Sequence, residues 1–285
     1  MALRGVIPKK TEKRLKALFY GIGGAGKTTA AISFPLPYLI DTEDGSGNDK
    51  YIDIIIKNGG SVFKTTDFDE LMVEIKELLV VDHPYKTLII DPLTIVYDQL
   101  LDQCALKVGT DFGRHYSEAN KKMKRLMNML IRLDMNVIIT SHAKNEYGPN
   151  MAVLGQTFDC YKKLEYLFDL IFEVQKKGGK HIGVTKKSRI ESFPIGEAFE
   201  FSYDQIANRY GRDILEKSAI PQPLASKEQI QELLMLFNVL NTPAEWQQKW
   251  LTKSNCDDFC DMIEPVIQKG IDHLKSKITL TKNGA

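Results

Sequence analysis

The sequence predicts an α/β fold: a mainly parallel sheet covered by helices, followed by a small helical module. Three observations carry that prediction. Short, continuously apolar runs alternate with helical patterns from residue 15 to about 187, as expected of strands buried on both faces. A glycine-rich turn, Gly21-Ile-Gly-Gly-Ala-Gly-Lys-Thr28, joins the first apolar run to the first helical one. A stiff connector, Ile220-Pro-Gln-Pro223, then separates this region from a purely helical tail. The implied organisation is a basic N-terminal arm over 1–14, a core over 15–219 and a helical module over 224–285.

The predicted elements follow in chain order. Residues 15–20 read as a strand entering the core, and a helix opens near Lys27, where Ala and Thr dominate. Strands follow at 37–41, 87–91, 136–141, 167–174 and 181–185, with helices near 67–81, 93–106 and 117–133. The last two strands flank Lys176-Lys-Gly-Gly-Lys180 and read as a hairpin. Beyond the connector, Ser226 is an N-cap candidate, and Leu233, Leu236 and Leu240 recur at helical spacing. Trp246, Trp250, Phe259, Ile263 and Ile267 continue that pattern, which predicts three helices.

Composition narrows the class. Of 285 residues, 43% are hydrophobic and 26% charged, with a formal net charge of +1, an ordinary globular balance that argues against coating a polyanion wholesale. No stretch approaches the ~20 apolar residues of a membrane span, and the N-terminus has no apolar secretory stretch. The four cysteines (Cys104, Cys160, Cys256, Cys260) are too scattered for a disulfide scaffold. Cys256 and Cys260 are read as a thiol pair one helical turn apart, since no second ligand pair with zinc spacing follows. A cytoplasmic location is expected.

The turn at 21–28 fits the phosphate-binding pattern G-x-x-x-x-G-K-[ST] without a mismatch. Gly23, Gly24 and Gly26 let successive N–H groups face an anion, and the N-terminus of the following helix adds positive character. The predicted nucleotide-binding set is Gly21, Gly23, Gly24, Ala25, Gly26, Lys27, Thr28 and Thr29. Lys27 would reach the phosphates, and Thr28 would ligate Mg2+. Three acids and bases at strand ends complete the candidate site. Asp91 ends an apolar strand where an acid can hold magnesium, or can merely cap the helix opening at Pro92. Glu43 follows a strand read as lying next to the phosphate-loop strand, and could polarise a water or be a surface acid. His142 ends a third strand, as a γ-phosphate sensor or else a solvent-exposed or structurally bonded histidine. No N-K-x-D sequence supplies guanine specificity, so ATP is the expected nucleotide.

The order of these parts, phosphate loop, "LIDTE", "LIID" and "IITSH", resembles the RecA-like recombinase core. More closely, it resembles phage nucleotide-binding ATPases of the AAA_24 type, which include Sak-type proteins of single-strand annealing and recombination. "SFPLPYLIDTEDG", "HYSEANKKMKRL" and "YLFDLIFEV" share that resemblance, which spans about residues 15–200. It implies Lys27 and Thr28 for phosphate and magnesium, Asp91 for magnesium, Glu43 for water activation and His142 as sensor. It further implies that Lys186, Lys187 and Arg189 act as basic fingers toward a neighbouring subunit, where a solvated basic hairpin end is the alternative. The chain departs from the bacterial recombinase in carrying His142 in place of a glutamine, and it lacks a clear N-terminal polymerisation domain. Both departures put filament formation, as against a ring or dimer, in question.

The resemblance also places two DNA-contacting loops, over 107–116 (Arg114, Tyr116) and 143–156 (Lys144, Tyr147), each with glycine, a basic residue and an aromatic. Lys121, Lys122, Lys124 and Arg125, with Arg4, Lys9, Lys10, Lys13, Arg14 and Lys16, are further candidates for tracking phosphates. The reading that results is a magnesium-dependent, DNA-stimulated ATPase acting on single-stranded DNA in phage-type recombination or annealing. It would work as a homo-oligomer in the host cytosol, with a single-strand-binding protein or another recombination factor as partner. The alternative is an ATP-dependent loader or assembly factor that recruits a protein through its C-terminal module. A small-molecule kinase ranks third, because no arginine-rich lid is evident.

Overall fold

The central strands form where the sequence is apolar without interruption, and several helices start where an acid or hydroxyl caps an amphipathic run. In the computed structural model these elements build two compact units, and the described residues are 5, 7, 12–254 and 256–283. The units do not follow chain order. The first comprises residues 1–66, 84–96 and 135–218, and the second 67–83, 97–134 and 219–285.

The first unit is built on an eight-stranded sheet. In chain order it contains β1 (Lys16–Tyr20), α1 (Lys27–Ile32), β2 (Pro37–Asp41), α2 (Asp49–Lys57) and β3 (Ser61–Lys64). After α3 (Phe68–Val80), which belongs to the second unit, the chain supplies β4 (Thr87–Asp91) and the first turn of α4 (Leu93–Val108). Past α5 (Arg114–Arg132) come β5 (Asn136–Ser141), a separate hairpin of β6 (Ala143–Tyr147) and β7 (Val153–Phe158), and α6 (Leu164–Leu167). The unit closes with β8 (Leu170–Lys177), β9 (Lys180–Ser188), β10 (Ala198–Glu200), α7 (Tyr203–Tyr210) and α8 (Arg212–Leu215).

Strand order is β10-β9-β8-β1-β5-β4-β2-β3; the six strands from β8 to β3 are parallel, and β9 and β10 are antiparallel. The α/β class is therefore as predicted. The neighbour of the phosphate-loop strand is not. Glu43 was expected on a strand beside β1, yet β5 and β4 both intervene, because the chain returns after α5 to insert β5 between β1 and β4. The core of this unit gathers Phe19, Phe172, Phe193, Phe199 and Phe201, with the Phe19–Phe201 rings edge-on at 4.9 Å. These are tilted and edge-to-face geometries that aromatic rings favour.

Several strand limits move. The hairpin strands run to Lys177 and from Lys180, so Gly178 and Gly179 alone make the turn. The apolar and helical patterning does not anticipate α2, β3 or β10. Two basic residues expected to track phosphates are structural instead. Lys16 is buried and its amine donates to the Met135 carbonyl (3.0 Å), whereas Arg14 donates to the carbonyls of Ile214 (3.0 Å), Lys217 (3.0 Å) and Ser218. Arg4, Lys9 and Lys10 lie outside the described residues.

The second unit contains α3, most of α4, α5, and the C-terminal helices α9 (Lys227–Val239), α10 (Ala244–Lys253) and α11 (Glu264–Asn283). Helix α9 starts at a full capping box: the Ser226 hydroxyl accepts from the Gln229 N–H (3.1 Å), and the Gln229 side chain accepts from the Ser226 N–H (3.0 Å). Its core joins Leu233, Leu236, Phe237, Phe259, Ile267 and Ile271. Asp261 is only 2% exposed and holds this unit's helices together. Its carboxylate accepts from Arg125 of α5 at 2.6 and 2.9 Å and pairs with Lys76 of α3 at 2.8 Å, while its carbonyl accepts from Arg132.

That network corrects the basic-helix expectation. Arg125 serves Asp261, Lys124 faces Asp257 (3.6 Å), Lys122 faces Asp69 (3.2 Å) and Lys121 faces Glu118 (3.5 Å). Cys256 and Cys260 do not share a helical turn either: the first lies outside any helix and the second in a short 3-10 turn. Burial pushes both thiols up, Cys260 to about 11, so neither is poised to react. No helix of the described residues is long and apolar enough to cross a membrane.

Candidate functional site: a phosphate loop at the carboxyl edge of the sheet

The site assembles because parallel strands deliver their C-terminal ends to one edge, where ligands of such sheets bind. Tyr20 is level with Ser141 across β1 and β5, and Asp41 is level with Asp91 across β2 and β4. The loop 21–28 therefore opens beside His142, with Asp91 and then Glu43 on the strands beyond. Two glycines are required sterically. Gly26 has φ 98°, and a Cβ there would lie 2.6 Å from the His181 ring; at Gly21 a Cβ would lie 2.2 Å from the Val174 carbonyl oxygen.

Lys27 is buried, and its ammonium donates back to the carbonyls of Gly21 (2.8 Å) and Ile22 (3.0 Å). Burial pushes its pKa down, against the opposing pull of the Asp91 and Glu43 charges. Burial pushes the Asp91 carboxyl up, moderated by hydrogen bonds from Thr140 and Thr28 and by the Lys27 charge. A hydroxyl and a carboxylate already in contact, Thr28 and Asp91, form the oxygen donor set a hard cation takes. Among the described residues no cluster of three His, Cys, Asp or Glu could hold a metal, so phosphate and water oxygens would have to complete the shell.

Glu43 and His142 meet. The Glu43 Oε1 and His142 Nε2 atoms are 2.8 Å apart, with both side chains about two-fifths exposed (43% and 40%). The backbone of each is held in place. Asp41 Oδ1 accepts from the N–H groups of Glu43 (3.1 Å) and Gly45 (3.2 Å), and the His142 N–H donates to the Thr94 hydroxyl (3.0 Å). The residue after His142 begins β6. The expected 143–156 loop is thus an antiparallel hairpin, turning through 148–152. Its ladder continues one step past β6, where the Asp159 N–H donates to the His142 carbonyl (2.8 Å), and the Tyr20 hydroxyl of β1 ties it back by donating to the Gln156 carbonyl (3.1 Å). Lys144 pairs with Asp159 (2.8 Å); Tyr147, Met151, Val153 and Leu154 are exposed near the tip.

The other expected loop is mostly helix. Residue Lys107 lies in α4, Arg114 opens α5, and Tyr116 sits in its first turn with its ring 4.2 Å from that of His115. Phe112, between them, is fully exposed at φ 52°.

The three finger candidates each have a partner in their own unit. Lys186 faces Glu173 (3.2 Å), Lys187 donates to the Glu165 and Phe168 carbonyls, and Arg189 meets Asp169 (3.2 Å) and the Tyr166 carbonyl (3.1 Å). Register puts Lys187 level with Ile171, toward the start of β8, whereas the phosphate-loop edge is level with the other end of β9.

That other end supplies a residue the sequence reading missed. His181 Nδ1 lies 2.7 Å from the Ala25 carbonyl, and its ring lines a cleft of about 280 Å³ with Gly26, Thr29, Ser33 and Tyr203. Nothing in the sequence marks a histidine 156 residues away as a neighbour of the loop.

Residues 13–191 match the profile of the AAA_24 family, described as an AAA domain. No match was found among curated proteins. Among solved structures, one titled "Crystal structure of the RadB recombinase" is 18% identical and aligns over 66% of this chain and 88% of its own, with a TM-score of 0.44.

Proposed function

Starting from the fact that the chain belongs to the AAA_24 family of AAA domains, we propose that it is a magnesium-dependent ATPase whose nucleotide state governs single-stranded DNA binding. This is the chemistry of phage-type recombination and single-strand annealing. One observation carries the reading: Glu43 Oε1 and His142 Nε2 lie 2.8 Å apart, and the β6–β7 hairpin begins at the next residue.

Chemically, Lys27 exchanges its two carbonyl partners for phosphate oxygens. Thr28 and Asp91 would hold Mg2+, which would neutralise charge on those oxygens. Glu43 accepts a proton from the attacking water, as its reach into the site allows. His142 exchanges Glu43 for the γ-phosphate, which frees the carboxylate to act as base. The same exchange shifts the start of β6, and with it Lys144 and Tyr147, the residues proposed to meet phosphate and base. Arg114 and Tyr116 stand as a second proposed DNA contact. Lys187 and Arg189 lie toward the end of the β8–β9 pair opposite the phosphate loop, so a finger role would be exercised only on a neighbouring copy in a homo-oligomer.

Linkage supplies the test. If ATP and DNA binding are coupled, a non-hydrolysable ATP analogue tightens single-stranded DNA, and DNA tightens the analogue by the same factor, by ~5- to 150-fold. Fluorescence anisotropy with and without the analogue, at fixed salt because phosphate contacts are salt-sensitive, measures it. Equal DNA affinity in both states overturns the reading and favours the loader.

A further inference from the structure

The C-terminal helices α9, α10 and α11 enclose an open groove of about 590 Å³, within the range of ligand pockets. Its walls are apolar: Phe237, Leu240, Pro243, Trp246, Trp250 and Leu274. Its rim carries Lys249, Lys253, His273 and Lys277, and no acid lines it. The whole chain has 38 Lys and Arg against 37 Asp and Glu, so this one-sided rim does not merely reflect a basic protein.

The groove is built by packing. A Cβ on Gly270 would lie 1.7 Å from the Trp250 indole, so only glycine lets that ring lie against α11. Trp250 is then fixed edge-on between Phe237 (5.8 Å) and Phe259 (6.4 Å). Trp246 is 64% exposed, and the Lys249 ammonium stands 5.5 Å from its ring centroid.

We propose that this groove binds an acidic segment of a partner protein, with an apolar side chain inserted between Leu240, Pro243 and Leu274 and flanking carboxylates on the lysine rim. Two features favour a peptide over a nucleic acid. Base stacking needs an open aromatic face. Here Trp250 is wedged between two phenylalanines, and the face of Trp246 is shared with Lys249. The remaining walls are aliphatic or proline, suited to an apolar anchor, and the rim complements carboxylates in the way that sets specificity at protein interfaces. The inference rests on this groove alone and stands whether or not the phosphate loop serves DNA.

The protein contains only two tryptophans, Trp246 and Trp250, and both line the groove, so its intrinsic fluorescence reports on that site. The experiment titrates the full chain with a tryptophan-free twelve-residue peptide of Asp and Glu flanking a Leu-Phe pair. A lysine-substituted version and an oligo-thymidylate of similar length are titrated in parallel. The expected result is a saturable emission shift with the acidic peptide alone, weakened at least about tenfold in Lys249→Glu/Lys253→Glu. Binding of a fluorescent ATP analogue by that variant should be unchanged, which separates a local effect from misfolding. No saturable response to the acidic peptide up to millimolar concentration overturns the proposal. So does equal binding of the lysine peptide, or an oligonucleotide that displaces the acidic peptide from the groove and binds there more tightly.

Discussion

Glu43 and Lys27 sit in the same site and are separated by what their atoms can do. Lys27 donates to two loop carbonyls and is the cation proposed to meet the phosphates, whereas Glu43 lies 2.8 Å from His142 and acts on the loop only through its charge on Lys27. Glu43→Gln should therefore bind ATP with near wild-type affinity and hydrolyse it ~100-fold more slowly or worse, the range for losing a general base. Lys27→Ala should lose affinity itself. Isothermal titration with a non-hydrolysable analogue, paired with steady-state turnover, separates the two; wild-type turnover in Glu43→Gln would remove the base assignment. Most of these residues could be read from the sequence, because a phosphate loop and strand-end acids are local patterns. The Glu43–His142 contact could not, since a side-chain pair joining two strands 99 positions apart has no local signature. His181 escaped for the same reason.

At the scale of elements, the strands were the most legible. Continuous apolar runs such as TLIID and NVIITS fix β4 and β5 at their observed limits, because burial on both faces tolerates little else. The region after His142 was misread, since Lys144, Asn145 and Glu146 look like a polar loop although they form an exposed strand. A hairpin changes the expected coupling: a ribbon held at His142 and Gln156 should shift as one piece, whereas a loop would order and disorder. His142→Ala should accordingly reduce the ATP-dependent change in DNA affinity toward none while leaving nucleotide affinity within about threefold, since the loop supplies most of it. Anisotropy of labelled DNA with and without the analogue reads this. A variant that keeps the full coupling would exclude His142 as the link.

For the molecule as a whole, the unexpected feature is that α3 and α5 form one compact unit with the C-terminal helices. Asp261 is the reason to expect that unit to unfold cooperatively. Desolvation would raise its pKa, but hydrogen bonds from Arg125 and Lys76 win and hold it below the ordinary value of 3.8. A carboxylate with a depressed folded pKa contributes stability that is fully present above its unfolded pKa and is lost as pH falls through the folded one. Asp261→Asn should cost about 3 kcal/mol at neutral pH, the low end for breaking a buried pair because both cations are partly exposed. The deficit should shrink in acid below the ordinary carboxylate range, where the wild type also protonates. Urea unfolding at several pH values measures it, and a variant as stable as wild type at pH 7 would show that the cluster only positions helices.

Local patterns in the chain were enough to read the α/β class, the phosphate-loop motif, the strand-end acids and the three C-terminal helices. Each of these rests on interactions within a few residues: hydrophobic period, turn chemistry, capping. The tertiary structure alone decided that β5 separates β1 from β4, that Glu43 meets His142, that His181 lies on the phosphate loop, and that Asp261 joins α3 and α5 to the C-terminal helices. Those facts depend on strand order and on side chains brought together from distant positions. Local periodicity carries no information about them, because the same pattern of buried faces is compatible with several strand orders.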